Sequence, residues 1–191
     1  MASSICLKCK IKPVSRRAMC VECNALYGKN QRIRLYDRYI KMKQTQKEKN
    51  DGVSVNLSFL QFCATHAYGF CFYCDGPLPP QGKGLDRKKV GNYSWDNVLP
   101  CCGQTGFKLE GGNCNRIKGV SLTVFETWSI QVRRQRGEWP LEHEFENHFG
   151  QFELIRSSYY DTLQDLTSGQ IEGLKKATDV QEYIVSLRLG E

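Results

Sequence analysis

Apolar residues along the chain fall into blocks whose period changes from one block to the next. From Asn24 to about Lys49 there is no proline, and Leu26, Ile33, Tyr36, Ile40 and Met42 recur at nearly helical spacing, which predicts one helix. Asn50-Asp51-Gly52 ends it. A second helix is expected to start near Ser54 or Asn56, to carry Leu57, Leu60 and Cys63 on one face, and to stop before Gly69. A proline-rich turn at Pro77, Pro79 and Pro80 leads into two strands flanking the turn signal Gly91-Asn92, the pattern of a β-hairpin. Asn115 opens a short helix. Ser121 to Arg136 reads as an amphipathic helix, with Leu122, Phe125 and Trp128 inward and Arg133, Arg134 and Arg136 outward. Past Trp139-Pro140, Phe145, Phe149, Phe152, Leu154 and Ile155, then Leu163, Leu166, Ile171 and Leu174, predict two or three short helices. No apolar run approaches the roughly 18–20 residues that a membrane-crossing helix needs.

Charge divides the same chain differently. The net charge of +7 over 191 residues is the sum of +10 in residues 1–50, +4 in 51–137 and −7 in 138–191. The front of the chain is therefore the face expected to meet nucleic acid. Lys8, Lys10, Lys12, Arg16 and Arg17, followed by Arg32, Arg34 and Arg38 on the first helix, are candidates for phosphate contacts. The acidic end, where His143 and His148 sit among glutamates, carries no motif and is a candidate for self-association or for a protein partner.

Ten cysteines sharpen the picture. With no secretory signal in the sequence, they point to thiolate ligands in a reducing compartment, hence to a cytoplasmic protein, rather than to a disulfide framework. Cys6-Leu-Lys-Cys9 and Cys20-Val-Glu-Cys23, separated by a basic spacer, have the spacing of a zinc ribbon holding one Zn²⁺. Cys71, Cys74, Cys102 and Cys114, with Cys101 as the alternative to Cys102, make a second such set, closed across a glycine-rich insert. Sulfur ligands of this kind select zinc, and a closed four-sulfur site is structural. Cys63 and His66 lie at ligand spacing on one helical turn, where a core role is expected.

The motifs in the middle of the chain are Cys71-Phe-Tyr-Cys74, Gly84-Leu-Asp86-Arg87, Asn92-Tyr93-Ser-Trp-Asp96-Asn97-Val-Leu-Pro-Cys101-Cys102 and Cys114-Asn115-Arg-Ile-Lys118-Gly119. Together they resemble the HNH endonucleases of the ββα-metal kind, close to the phage-type subgroup with Asp-Arg where most members have Asp-His. The resemblance covers roughly residues 55 to 130. It implies that Asp86 and Asn115 bind a catalytic Mg²⁺ or Mn²⁺, that Asn97 braces the hairpin, and that Arg87, Arg116 and Lys118 hold DNA phosphate. Arg87 stands at the general-base position, where a guanidinium remains protonated at neutral pH and grips phosphate instead. Tyr93 and His66 are the substitute bases to consider.

The expected architecture is α+β, built of small zinc-stabilised modules. It comprises a Cys₄ zinc ribbon over 1–24, a basic helix over 25–50, a ββα-metal HNH core over 51–137 and an acidic helical region over 138–191. The resemblance implies a divalent-metal-dependent DNA endonuclease, possible as a homing enzyme and acting in a host cytoplasm if phage-encoded. The alternatives are an HNH scaffold that binds nucleic acid with little or no cleavage, and a subunit of a nucleic-acid-processing complex.

Overall fold

The computed structural model describes residues 33–78, 83–102 and 114–190. The expected ribbon cysteines Cys6, Cys9, Cys20 and Cys23, together with Lys8, Lys10, Lys12, Arg16, Arg17 and Arg32, lie outside the described residues. So does the glycine-rich insert between Cys102 and Cys114.

The first described helix, α1, spans Leu35–Lys49. It begins later than the pattern of the basic block predicts, because Arg34 is extended at φ −55°, ψ 145°. Asn50, left-handed at φ 50°, ends it. Leu35 and Tyr39 are buried, and the Tyr39 hydroxyl donates to the Leu57 carbonyl at 2.8 Å.

Helix α2, Phe59–Ala67, follows a capping box in which Ser58 Oγ accepts from Gln61 N at 3.1 Å and Gln61 Oε1 accepts from Ser58 N at 2.9 Å. Such a box satisfies two orphan amides at once and fixes where the helix starts. Phe62 to Ala67 are all buried, as befits a helix enclosed on every side.

Two antiparallel strands form the small sheet, β1 over Lys83–Arg87 and β2 over Val98–Cys102, with Asp86 opposite Leu99. A 3-10 turn at Trp95–Asn97 leads into β2. The one-turn helix α3, Cys114–Lys118, is followed by α4, Val124–Arg136, which a second capping box between Thr123 and Glu126 begins. The last three helices are α5 over Glu142–Gln164, α6 over Ser168–Lys176 and α7 over Val180–Leu189. The acidic region is thus one long helix and two shorter ones. The fold is α+β, mostly helical.

From Arg34 onward the chain is one compact unit. Helix α5 lies along α2, and α1 and α7 pack on α2 as well. This arrangement makes two apolar clusters. One gathers Leu35, Leu57, Phe62, Leu163, Leu174, Val180 and Ile184, with Leu85 and Val98 from the hairpin. The other gathers Cys71, Phe72, Tyr73, Leu99, Cys101, Cys114, Trp128, Val132 and Phe152.

Phe72 is fully buried against Phe145, Phe149 and Phe152 of α5, a burial that contributes roughly 1.5–3 kcal/mol. The acidic region is therefore part of the core around the hairpin. Phe125, expected inward, is 37% exposed with its ring against Phe145, and on α5 Leu154 is 72% and Ile155 39% exposed. No described helix is long and apolar enough to cross a membrane.

Candidate metal centre and the buried carboxylate beside it

A tight turn builds the first half of the centre. Cys71 N donates to Gly76 O, and Asp75 N, from a left-handed residue at φ 50°, donates to Cys71 O, both at 2.9 Å. Phe72 N donates to Pro100 O at 2.9 Å, joining the turn to β2, and Gln135 Nε2 donates to Cys74 O at 2.9 Å, joining it to α4.

The second half comes from the last residue of β2, Cys102, and the first of α3, Cys114. The ligand atoms of Cys71, Cys74, Cys102 and Cys114 all lie within 4.8 Å of one another, and Cys74 and Cys102 Sγ are 3.9 Å apart. Zinc–sulfur bonds of about 2.3 Å in a tetrahedron put sulfurs about 3.8 Å apart, so the four could hold a metal such as zinc. Cys101 is buried outside this quartet, and its thiol donates to Cys102 O at 3.6 Å.

The proton balance of the quartet agrees with a cation site. Neighbouring thiols, Cys101 foremost, bring the Cys71 thiol down to about 4, while Cys114 is pushed up, Cys102 being the first cause. Cys102 is likewise brought down, Cys101 being the first cause, and Cys74 is pushed up, Cys102 being the first cause, so the four thiols share their protons unevenly, and a bound cation would relieve that.

One helical turn away lies Asp86, 6% exposed. Cys114 and Lys118 are four residues apart on α3 and share its face. Lys118 Nζ lies 3.3 Å from Asp86 Oδ2 and 3.5 Å from Oδ1, and donates to Arg87 O at 2.8 Å. The Tyr73 hydroxyl donates to Asp86 Oδ2. Burial raises the Asp86 pKa above the usual carboxylate range, although Tyr73 and Lys118 pull it down. It also pushes the Tyr73 phenol up.

Lys118, expected on phosphate, is itself only 6% exposed and turned onto the carboxylate. Asn115 is half-buried and a neighbour of Lys118 on α3, since residues three apart adjoin on a helix. Asp86 and Asn115 offer the hard oxygens that magnesium prefers, but the Asp86 oxygens are already engaged by an ammonium and a phenol.

Asn97 is 3% exposed and staples the hairpin loop. Its Nδ2 donates to Lys89 O at 3.1 Å and Asn92 O at 2.8 Å, and its Oδ1 accepts from Lys89 N at 3.0 Å. Arg87 Nη1 donates to Gly91 O at 2.6 Å, and its guanidinium lies 5.1 Å from the Tyr93 ring centroid.

Neither substitute base is placed for that work. Burial pushes the Tyr93 phenol up, which keeps it protonated. His66 is 1% exposed in the α2 core, with Nδ1 2.9 Å from Phe62 O. Among the candidate phosphate contacts, Arg34 and Arg116 are exposed, whereas Arg38 is half-buried and donates to Thr178 O at 2.5 Å. His143 is exposed, and His148 Nε2 lies 2.7 Å from Phe72 O.

Three partners have no counterpart in the motif reading. Tyr73 hides between the two cysteines of the turn. Arg156 of α5, 2% exposed, donates to Trp95 O at 2.7 Å and Val98 O at 3.3 Å, stacks 3.9 Å from the Trp95 ring centroid and pairs with Glu153. Glu153 also pairs with Lys88 at 3.0 Å. A lone arginine within the apolar stripe Phe149, Phe152, Leu163 was the available sign.

The fold and site define an α+β chain with a four-cysteine cluster able to hold a metal. No family model, no curated protein and no solved structure matches the chain.

Proposed function

We propose that this chain is a zinc-stapled, HNH-type endonuclease that hydrolyses phosphodiester bonds in DNA with Mg²⁺ or Mn²⁺, as a homing-type enzyme does. The observation that carries the reading is the way the sulfur quartet joins three segments. The Cys71–Cys74 turn is bonded to β2, β2 pairs with the strand bearing Asp86 and Arg87, and Cys114 begins the helix bearing Asn115.

A divalent ion in such a site supplies Lewis-acid charge to the phosphate and the leaving oxygen. Arg87 grips phosphate and Asn97 keeps the hairpin loop in register. Exposed Arg34 and Arg116 supply backbone contacts, and the ribbon expected over residues 1–24 adds a second zinc and further basic contacts. The wealth of thiols fits a reducing compartment.

A second reading, a scaffold that binds DNA without cutting it, is favoured by the engagement of Asp86 with Lys118 and Tyr73. Cleavage of supercoiled plasmid decides between them. The nuclease reading expects nicking that needs the divalent ion and is lost in Asp86→Ala and Asn115→Ala. DNA binding by zinc-loaded protein without any cleavage contradicts it.

A further inference from the structure

We propose that Lys118 is a resident counter-ion that competes with the divalent ion for Asp86, so that ion loading waits for the substrate. The inference rests on the nuclease reading and concerns the regulation of that same site. Its basis is geometric. The ammonium lies within 3.5 Å of both carboxylate oxygens, and both residues are 6% exposed. Its third contact, 2.8 Å to Arg87 O, holds it against β1.

A second cation on these oxygens would meet the ammonium at close range in a low-dielectric setting, where like charges repel strongly. Loss of Lys118 from the carboxylate is therefore the condition for a metal to enter. The side chain can meet it, because a lysine carries its charge on a flexible four-carbon stem. It is also the last residue of α3, with Gly119 left-handed at φ 52° behind it. A phosphate arriving between Arg87 and Arg116 offers the ammonium another anion and leaves Asp86 to the metal. Tyr73 stays as the neutral donor that orients the carboxylate.

The test is Mn²⁺ affinity measured by electron paramagnetic resonance on zinc-loaded full-length protein. Lys118→Met alone is expected to bind Mn²⁺ about tenfold or more tightly than wild type, and Asp86→Asn/Lys118→Met to lose that site. Wild type is expected to gain affinity when a phosphorothioate duplex that resists cleavage is added. Equal affinity of Lys118→Met and wild type overturns the proposal. If Lys118→Met does not fold, the wild-type titration decides, and a duplex without effect overturns it. Tight Mn²⁺ binding by Lys118→Met, together with no cleavage of plasmid by Mn²⁺-supplied wild type, would sustain the role of Lys118 and remove the nuclease reading.

Discussion

The cysteine quartet and the Asp86 carboxylate sit at opposite ends of one turn of α3, yet they meet their charge in opposite ways. The quartet brings four sulfurs within 4.8 Å of one another, a set that could hold a cation from outside. Asp86 has its cation already, in Lys118, and a phenol besides. The first arrangement could take a metal, and the second already pairs its carboxylate with a lysine of the same chain. Proximity of ligand-type residues is thus a weaker sign of a metal than the absence of a competing charge among them.

The difference can be sharpened by experiment. The largest effect is expected at the sulfurs. Structural zinc contributes an apparent 10–16 kcal/mol or so in small zinc modules, so Cys114→Ser should release the metal and unfold the hairpin and α3, read as loss of hydrogen-exchange protection there. Next comes Arg156→Ala, which leaves Glu153 half-paired and two carbonyls without a donor; a loss of about 3–5 kcal/mol in urea unfolding is expected. Removing the three hydrogen bonds of Asn97 in Asn97→Ala should cost about 2–3 kcal/mol and mobilise the 88–92 loop, while leaving zinc content unchanged.

Acidity separates the two sites further. A carboxyl whose folded pKa is raised adds stability at low pH and loses that contribution as pH climbs through the folded value. The stability of wild type relative to Asp86→Asn should therefore fall as pH rises from the ordinary carboxylate range through the raised Asp86 value, measured with zinc in excess in both proteins. The smallest effect belongs to Ser58→Ala, about 1 kcal/mol of thermal stability from one helix cap far from either site.

Much of the sulfur centre was legible because its determinants are local. Cys71 and Cys74 sit in one turn, and Gly91-Asn92 marks the loop between the two strands. Cys102 was expected as the ligand ahead of Cys101, and it is Cys102 whose sulfur joins those of Cys71, Cys74 and Cys114, while Cys101 lies buried beside Cys71 and Cys102.

The oxygen site was less legible. Lys118 and Asp86 are 32 residues apart, and no spacing rule pairs a lysine with a carboxylate rather than with a phosphate. Arg38 was hidden for the same reason, its partner Thr178 lying 140 residues away. The length of α5 was missed because Gly150 lies in its middle. A glycine there costs only about 1 kcal/mol, which the packing of Phe149 and Phe152 against Phe72 offsets. Phe125 is 37% exposed although its ring lies edge-on to Phe145 at 5.3 Å between centroids, a partial cover that periodicity does not encode.

The central claim is that a four-sulfur metal centre, built with Cys102 and without Cys101, holds the hairpin that carries Asp86. Native mass spectrometry of wild type, Cys101→Ser and Cys102→Ser tests it most directly. Wild type and Cys101→Ser should carry equal zinc, and Cys102→Ser should carry one ion fewer. Loss of zinc in Cys101→Ser with retention in Cys102→Ser, or equal zinc in all three proteins, would contradict it.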